Sequence, residues 1–175
     1  TELYTLSLHV ALPIFPSMDP LIALLRQNAR TSTADLAREL NLSESAVLDR
    51  LAKLESDGAI LGYQAVVDSQ KVSGSIVTAV VEVKITPERG GGFDRLAERI
   101  AKFSEVQSCY LMSGGYDLLV IIDGKTLQEV ANFVAEKLST IKGVISTSTH
   151  FRLKAYKENG VQLHREARQQ RLAVA

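Results

Sequence analysis

Residues 32–63, STADLARELNLSESAVLDRLAKLESDGAILGY, decide how the rest of the chain is read. Leu36, Ala37 and Leu40 share one face of a short helix. Val47, Leu51 and Leu54 recur at i, i+4 and i+7 in a second, so each helix carries a single apolar stripe. Ser32 opens an S-x-x-D pattern resembling a capping box. Ser43 is placed to cap the second helix, with Leu42 before it set to meet Val47 as a hydrophobic staple. Gly58 ends that helix. Two short helices meeting at a tight turn, followed by a strand, have the shape of a helix-turn-helix. A second helix whose start is fixed by Asn41-Leu42-Ser43 and whose inner face is buried projects its first N–H groups, as a helix entering a DNA groove must.

Upstream, Asp19 and Pro20 suit an N-cap and first helical position, and Leu21, Leu24 and Leu25 stripe a helix ending near Asn28. Residues 1–17, TELYTLSLHVALPIFPS, do not read like the start of this domain; Met18-Asp-Pro does. The stretch resembles translated sequencing-adapter DNA and is expected to be a non-native or disordered leader, the alternative being a native extension that packs on the first helix. It has no basic region ahead of its apolar run, and that run, about ten residues broken by Pro13 and Pro16, is too short to span a membrane.

Downstream, residues 59–68 are β-branched and aromatic between Gly and Asp, predicting a strand that leads away from the helices, with 66–75 as strand end and linker. From residue 76 the rhythm spells β-α-β-β-α-β. Strands are expected at 76–86, 106–112, 117–122 and 144–156, with helices striped by Phe93, Leu96, Ala97 and Ile100 and by Val130, Phe133, Val134 and Leu138, the latter capped by Thr126. Ser113-Gly114-Gly115-Tyr116 has hairpin spacing. This order is that of a ferredoxin-like α+β sandwich. The reading gives a helix-turn-helix domain at 18–65, a ferredoxin-like domain at 76–157 and a tail at 158–175, with a solvated helix expected over about 161–172. Helices cover only one face of such a sheet, so a homodimer through the other face is the economical arrangement, and it would give two helical readers a common axis.

Composition narrows the function classes. With 175 residues, 46% hydrophobic and 23% charged, the chain can bury one core or two small ones. Its formal net charge is zero, which by itself suggests no polyanion partner. One cysteine, Cys109, rules out a disulfide framework and a thiolate metal cluster; it reads as a small buried hydrophobe, and a reducing cytoplasm is expected. An enzyme on a ferredoxin-like frame is the rival class. His9, His150 and His164 are scattered, with no P-loop, no H-E-x-x-H and no Cys/His cluster, so neither catalysis nor a metal or cofactor is expected.

On the second helix, Ser45, Ala46, Asp49, Arg50 and Lys53 turn outward or to the flank and, with the cap Ser43, form the candidate contact to double-stranded DNA; Arg50 and Lys53 are its strong donors. The alternative for Arg50 is an internal ion pair. Residues 18–65 hold five basic side chains (Arg26, Arg30, Arg38, Arg50, Lys53) against seven acidic (Asp19, Asp35, Glu39, Glu44, Asp49, Glu55, Asp57), a net of −2, so modest affinity gathered over several half-sites is expected. From residue 152 onward, Arg152, Lys154, Lys157, Arg165, Arg168 and Arg171 outnumber Glu158 and Glu166 for a net of +4. The turn Ser113–Asp117 is the candidate small-molecule site. Its glycines permit close backbone approach and expose N–H groups to a carboxylate, while Asp117 is placed to take an ammonium, so an α-amino acid fits. A plain hairpin, with Asp117 capping its own turn, is the structural alternative.

From about Met18 to about Lys157 the chain resembles the Lrp/AsnC, or feast/famine, family of transcriptional regulators. The resemblance is carried by NARTS (28–32), DLARELNLS (35–43), RLAKLE (50–55), GAILGY (58–63), SGGYDLLV (113–120) and GVISTST (143–149), in this order and spacing. It implies a winged helix-turn-helix followed by a ferredoxin-like effector domain, assembled as dimers and higher oligomers such as octamers, with amino acids as common effectors. It also implies that Tyr110, Met112, Gly114, Tyr116 and Thr147-Ser148-Thr149 line one effector site between subunits. Gly115 departs from the family, where an acidic residue is frequent. The alternative function is an oligomeric effector-binding regulator that acts by protein contact with little DNA affinity.

Overall fold

The computed structural model describes residues 18–68, 71–72, 76–87 and 92–163. The leader at 1–17 and most of the expected C-terminal helix lie outside them. The chain divides into two compact units, residues 1–65 and 66–175.

In the first unit, α1 (Pro20–Gln27), α2 (Thr33–Leu40) and α3 (Glu44–Ser56) enclose a core of Leu21, Leu36, Ala37 and Val47, with Leu24, Leu25, Leu40, Leu51 and Leu54 packed against it. These are the stripes expected from the sequence. Asp19 caps α1 by accepting from the Leu21 N–H at 2.8 Å, and Pro20 follows where its missing N–H costs nothing. At the far end of α3, Gly58 takes φ +71°. Its N–H donates to the Glu55 carbonyl, and that of Ala59 to the Leu54 carbonyl, the paired bonds of a Schellman stop. The strand expected at 59–68 is not formed: these residues make no ladder among the described residues, and Leu61, Tyr63 and Val67 are exposed. Their β-branched composition promised a strand, but a strand needs a partner edge, and the described part of the unit has none.

The second unit is an antiparallel sheet with strand order β2-β3-β1-β4, where β1 is Val77–Ile85, β2 Val106–Leu111, β3 Leu118–Gly124 and β4 Val144–Phe151. The crossovers are α4 (Asp94–Ala101) and α5 (Leu127–Asn132), the latter running on as a π-helical turn over Phe133–Leu138. Ala79, Val81, Val83 and Ile85 of β1 join Leu118, Val120 and Ile122 of β3 on the helix-covered face, against Leu96, Ile100, Val130, Phe133, Val134 and Leu138. Gly124 lets α5 seat on the sheet. A Cβ there would stand 2.8 Å from the Val130 Cγ2 atom, far inside contact distance. Cys109 is half-buried against this core, and burial pushes its thiol pKa up.

Pairing registers place Thr78, Val80, Glu82 and Lys84 on the opposite face, with Leu119, Ile121 and Asp123 of β3, Tyr110 of β2, and Ser146, Ser148 and His150 of β4. No helix covers this face among the described residues. Val80, Leu119 and Ile121 form an apolar patch on it beside Glu82 and His150, which lie 3.7 Å apart, and one end is closed by a polar cluster: Thr78 Oγ1 donates to Asp123 at 2.6 Å and accepts from Arg152 at 2.9 Å.

Two strand ends differ from expectation. β4 stops at Phe151 rather than 156, and β3 runs on through Asp123 and Gly124 rather than ending at 122. Beyond β4, the helix expected from Val161 does not begin there. Val161–Gln162 (β6) pairs with Lys157–Glu158 (β5) around Asn159-Gly160, both at positive φ, as a tight two-residue hairpin requires. Arg152 Nη1 holds Glu158 at 3.1 Å and so ties the hairpin to the sheet.

Candidate nucleic-acid interface and effector turn

The reader is built from its caps. Ser32 Oγ accepts from the Asp35 N–H at 3.1 Å and donates to the Asp35 carboxylate at 2.6 Å, while Arg38 pairs with the same carboxylate. The Ser32 hydroxyl, then the Arg38 charge, hold the Asp35 pKa below the ordinary aspartate range. Asn41 ends α2 in the left-handed region at φ +54°, and the Leu42 N–H returns to the Ala37 carbonyl. Ser43 Oγ then accepts from the Ala46 N–H at 3.2 Å and starts α3. One left-handed residue and two side-chain caps thus fix the angle between the helices.

With Val47 fully buried and Leu51 and Leu54 packed inward, α3 turns Ser45, Asp49, Ala52, Lys53 and Ser56 to solvent. Of the candidate contacts, Ser45, Asp49 and Lys53 are exposed, and Ser43 is exposed while occupied as a cap. Ala46 is only partly exposed. Arg50 is turned away: its guanidinium bonds to the Asp19 carboxylate at 2.8 Å, across 31 residues of sequence, tying α3 to the cap of α1. Partial desolvation works to raise the Asp19 pKa, but the Leu21 N–H bond and the Arg50 bond and charge outweigh it and hold it low. Leu48 was missed by the sequence reading. It is 54% exposed beside the outward face, an unburied leucine in an otherwise polar setting. A helical wheel anchored on Val47 and Leu54 gives the signal, since Leu48 lies about 100° around from Val47.

In the second unit, the candidate effector turn joins β2 to β3, with Ser113, Gly114 and Gly115 exposed and Tyr116 and Asp117 half-buried. Asp117 does more than cap its own turn. Its carboxylate accepts from the Ile85 N–H at 2.8 Å, its N–H donates to the Val83 carbonyl at 3.0 Å, and its carbonyl accepts from the Met112 N–H at 2.8 Å. It stitches three strands together where the β1–β4 register shifts between Lys84 and Ile85.

Tyr110 and Met112 flank that turn, with Tyr110 on the open face. Thr147-Ser148-Thr149 lies on β4 at the opposite edge of the sheet, three strand spacings or about 14 Å from β2. Ser148 shares the open face with Tyr110 through the row Tyr110, Leu119, Glu82, Ser148. Thr147 and Thr149 register with Val83 and Val81 on the helix-covered side, and Thr147 Oγ1 lies 3.1 Å from Ser139 Oγ. One copy of the chain therefore holds Tyr110 and the β4 triplet on opposite edges of the sheet, with Asp117 between them against β1. Among the described residues there is no His/Cys/Asp/Glu group with metal-binding geometry and no helix long and apolar enough to cross a membrane.

These two arrangements match known families. Residues 21–60 match the winged helix-turn-helix DNA-binding family, and residues 78–162 match the Lrp/AsnC ligand binding domain. The chain is 46% identical over 141 residues to an uncharacterised HTH-type transcriptional regulator, YugG, of Bacillus subtilis, covering 80% of this chain and 85% of that one. The chain belongs to the Lrp/AsnC family. It is also 30% identical to a proline dehydrogenase transcriptional activator of Rhodobacter capsulatus, over 75% of this chain and 84% of that one. Among solved structures it is similar to the L-Met complex of a transcriptional regulator from Neisseria meningitidis, with a TM-score of 0.63 and 27% identity over 79% of this chain and 88% of that one. An Lrp/AsnC chain is a DNA-binding regulator with a ligand-binding domain, so the two units carry the two halves of that activity.

Proposed function

We propose that this Lrp/AsnC regulator reads double-stranded DNA through the outward face of α3 and answers an amino-acid effector received by the sheet domain between copies of the chain. Residues 18–65 do the reading, with Ser45, Asp49 and Lys53 toward the groove, the Ser43-capped helix start toward phosphate, and Ala46 and Arg50 at the margin. Residues 76–157 gather the copies through the open sheet face, first as a homodimer and then as higher oligomers such as octamers. The effector site combines Tyr110, Met112 and the turn Ser113, Gly114, Gly115, Tyr116 and Asp117 with Thr147, Ser148 and Thr149. We place the protein in the cytoplasm and read it as a regulator, not an enzyme.

The observation that carries this reading is the α3 surface: a helix capped at Ser43, buried along Val47, Leu51 and Leu54, and lined outside by small or polar side chains with Leu48 at the flank. The L-methionine complex of the Neisseria relative supports an amino acid as effector class. The test is a mobility shift at low salt on DNA recovered with the protein genome-wide, with and without an amino-acid mixture. The expected result is a shifted complex altered by the mixture and weakened by Lys53→Glu; a complex indifferent to Lys53→Glu would remove α3 from the contact. One observation favours a second reading, in which the oligomer acts by protein contact. The reader carries a net charge of −2, and Arg50 is engaged with Asp19, so little free cation is left for phosphate. Absence of any shifted complex at low salt would select it.

A further inference from the structure

We propose that Leu48 is a base-reading residue of α3 and that it takes the 5-methyl group of a thymine in the major groove. The inference rests on the DNA-reading role of α3 and adds a chemical class of contact to it. Leu48 leaves more than half of its surface in solvent, whereas the other three large apolar side chains of α3, Val47, Leu51 and Leu54, are buried or packed on the core. It therefore contributes little to folding where it stands. Ser45 and Glu44 lie one turn before it and Ala52 one turn after, all exposed, and the small Ser45 and Ala52 leave the side chain uncovered on the side of the outward face.

The major groove offers one apolar group among its hydrogen-bonding atoms, the thymine methyl, and only an apolar side chain gains from covering it. The competing reader on this helix would be a cation on guanine. Arg50 is held by Asp19 at 2.8 Å, and Lys53 lies on the opposite flank of the outward face from Leu48. Asp49 follows Leu48 in sequence but projects about 100° around the helix from it. Leu48 is thus the one large apolar side chain that α3 leaves exposed to a groove.

The test removes the methyl group from the DNA rather than from the protein. The full-length protein is used to enrich bound duplexes from a randomised pool, and each thymine of the enriched site is then replaced in turn by uracil, which pairs identically and lacks only the methyl. Wild-type protein is expected to lose affinity about three- to fivefold at one thymine per half-site, the effect of uncovering one buried methyl. Leu48→Ala, which suits an exposed helical position, is expected to bind the thymine site about as weakly as wild type binds the uracil site, and to ignore the replacement there. If wild-type protein is indifferent to every replacement, or Leu48→Ala keeps the full sensitivity, the Leu48 assignment is overturned while DNA reading stands. If the pool yields no enriched duplex, the DNA-reading role falls and this inference with it.

Discussion

Asp19 holds two jobs, and Asp117 holds one in the fold and a second, proposed one toward the effector, that single substitutions can separate. The Asp19 carboxylate caps α1 and pairs with Arg50, and its lowered pKa means that this contribution is complete above the ordinary aspartate range and fades as the pH falls through the lower, folded value. Both partners are part-exposed, so the pair contributes at most about 1 kcal/mol. Asp19→Asn keeps a good capping residue and frees Arg50. It should leave thermal stability nearly unchanged at neutral pH, strengthen binding to DNA at low salt, and steepen the fall of log affinity with log salt by about one. A titration across salt concentrations checks this; weaker binding would mean that the ion pair positions α3 instead of withholding a cation. For Asp117, removing the carboxylate leaves the Ile85 N–H without its acceptor. Asp117→Ala should therefore cost about 1–3 kcal/mol of stability and also abolish the effector response. Asp117→Asn retains an acceptor for Ile85, so it should recover most of the lost stability but not the response to an amino-acid mixture, read as a shift in melting temperature. If Asn restores both, the negative charge of Asp117 does not serve the effector.

Among the elements, α3 depends on its stop as much as on its start. Gly58 adopts φ +71° with open space where a Cβ would stand, so Gly58→Ala meets backbone strain and no clash. Thermal unfolding should show a loss of about 1–2 kcal/mol, confined to the first unit and with α3 fraying at its C-terminal end. Caps of this kind are why the helix-turn-helix was legible in the sequence: Ser32, Ser43 and Gly58 act through neighbours two to four residues away, and the stripe of Val47, Leu51 and Leu54 needs only helical geometry. The sheet was legible for the same reason, with alternation in β1 and glycine-bounded runs marking β2 and β3. Failures came where partners lie far away or are missing. Residues 59–68 have strand composition but no described edge to pair with, and while an internal ion pair was the alternative for Arg50, its partner Asp19 lies 31 residues away, beyond any local pattern. The hairpin at Lys157–Gln162 is a different lapse. Asn159-Gly160 is a strong turn signal, and it was outweighed by the charged, helix-favouring composition of the residues that follow. At the candidate effector site, residue types pointed to the glycine turn, yet nothing local could reveal that β2 and β4 end on opposite edges of the sheet.

At the scale of the whole molecule, the proposed effector site ties response to assembly. Tyr110 of β2 and Ser148 of β4 stand on opposite edges of the sheet within one chain, and in the proposed site a second copy of the chain brings them to one ligand. The open face between them carries the apolar row Val80 and Ile121, with Leu119 beside Glu82 in the next row, and has no helix over it among the described residues. Burying that row against its twin would remove apolar surface from water and bring two α3 helices onto one two-fold axis, offsetting the weak electrostatics of each reader by engaging two half-sites at once. Ile121→Arg places a charge in the middle of this face while leaving the helix-covered core untouched. The variant should sediment as a monomer, keep the helical content and cooperative unfolding of the parent, and lose DNA affinity by at least tenfold, since the second half-site no longer adds to the first. In the same variant an amino-acid mixture should no longer shift the melting temperature. A monomer that still responds to amino acids would place the effector within one chain, and a monomer that binds DNA as tightly as the parent would show that a single α3 face is sufficient despite its net charge.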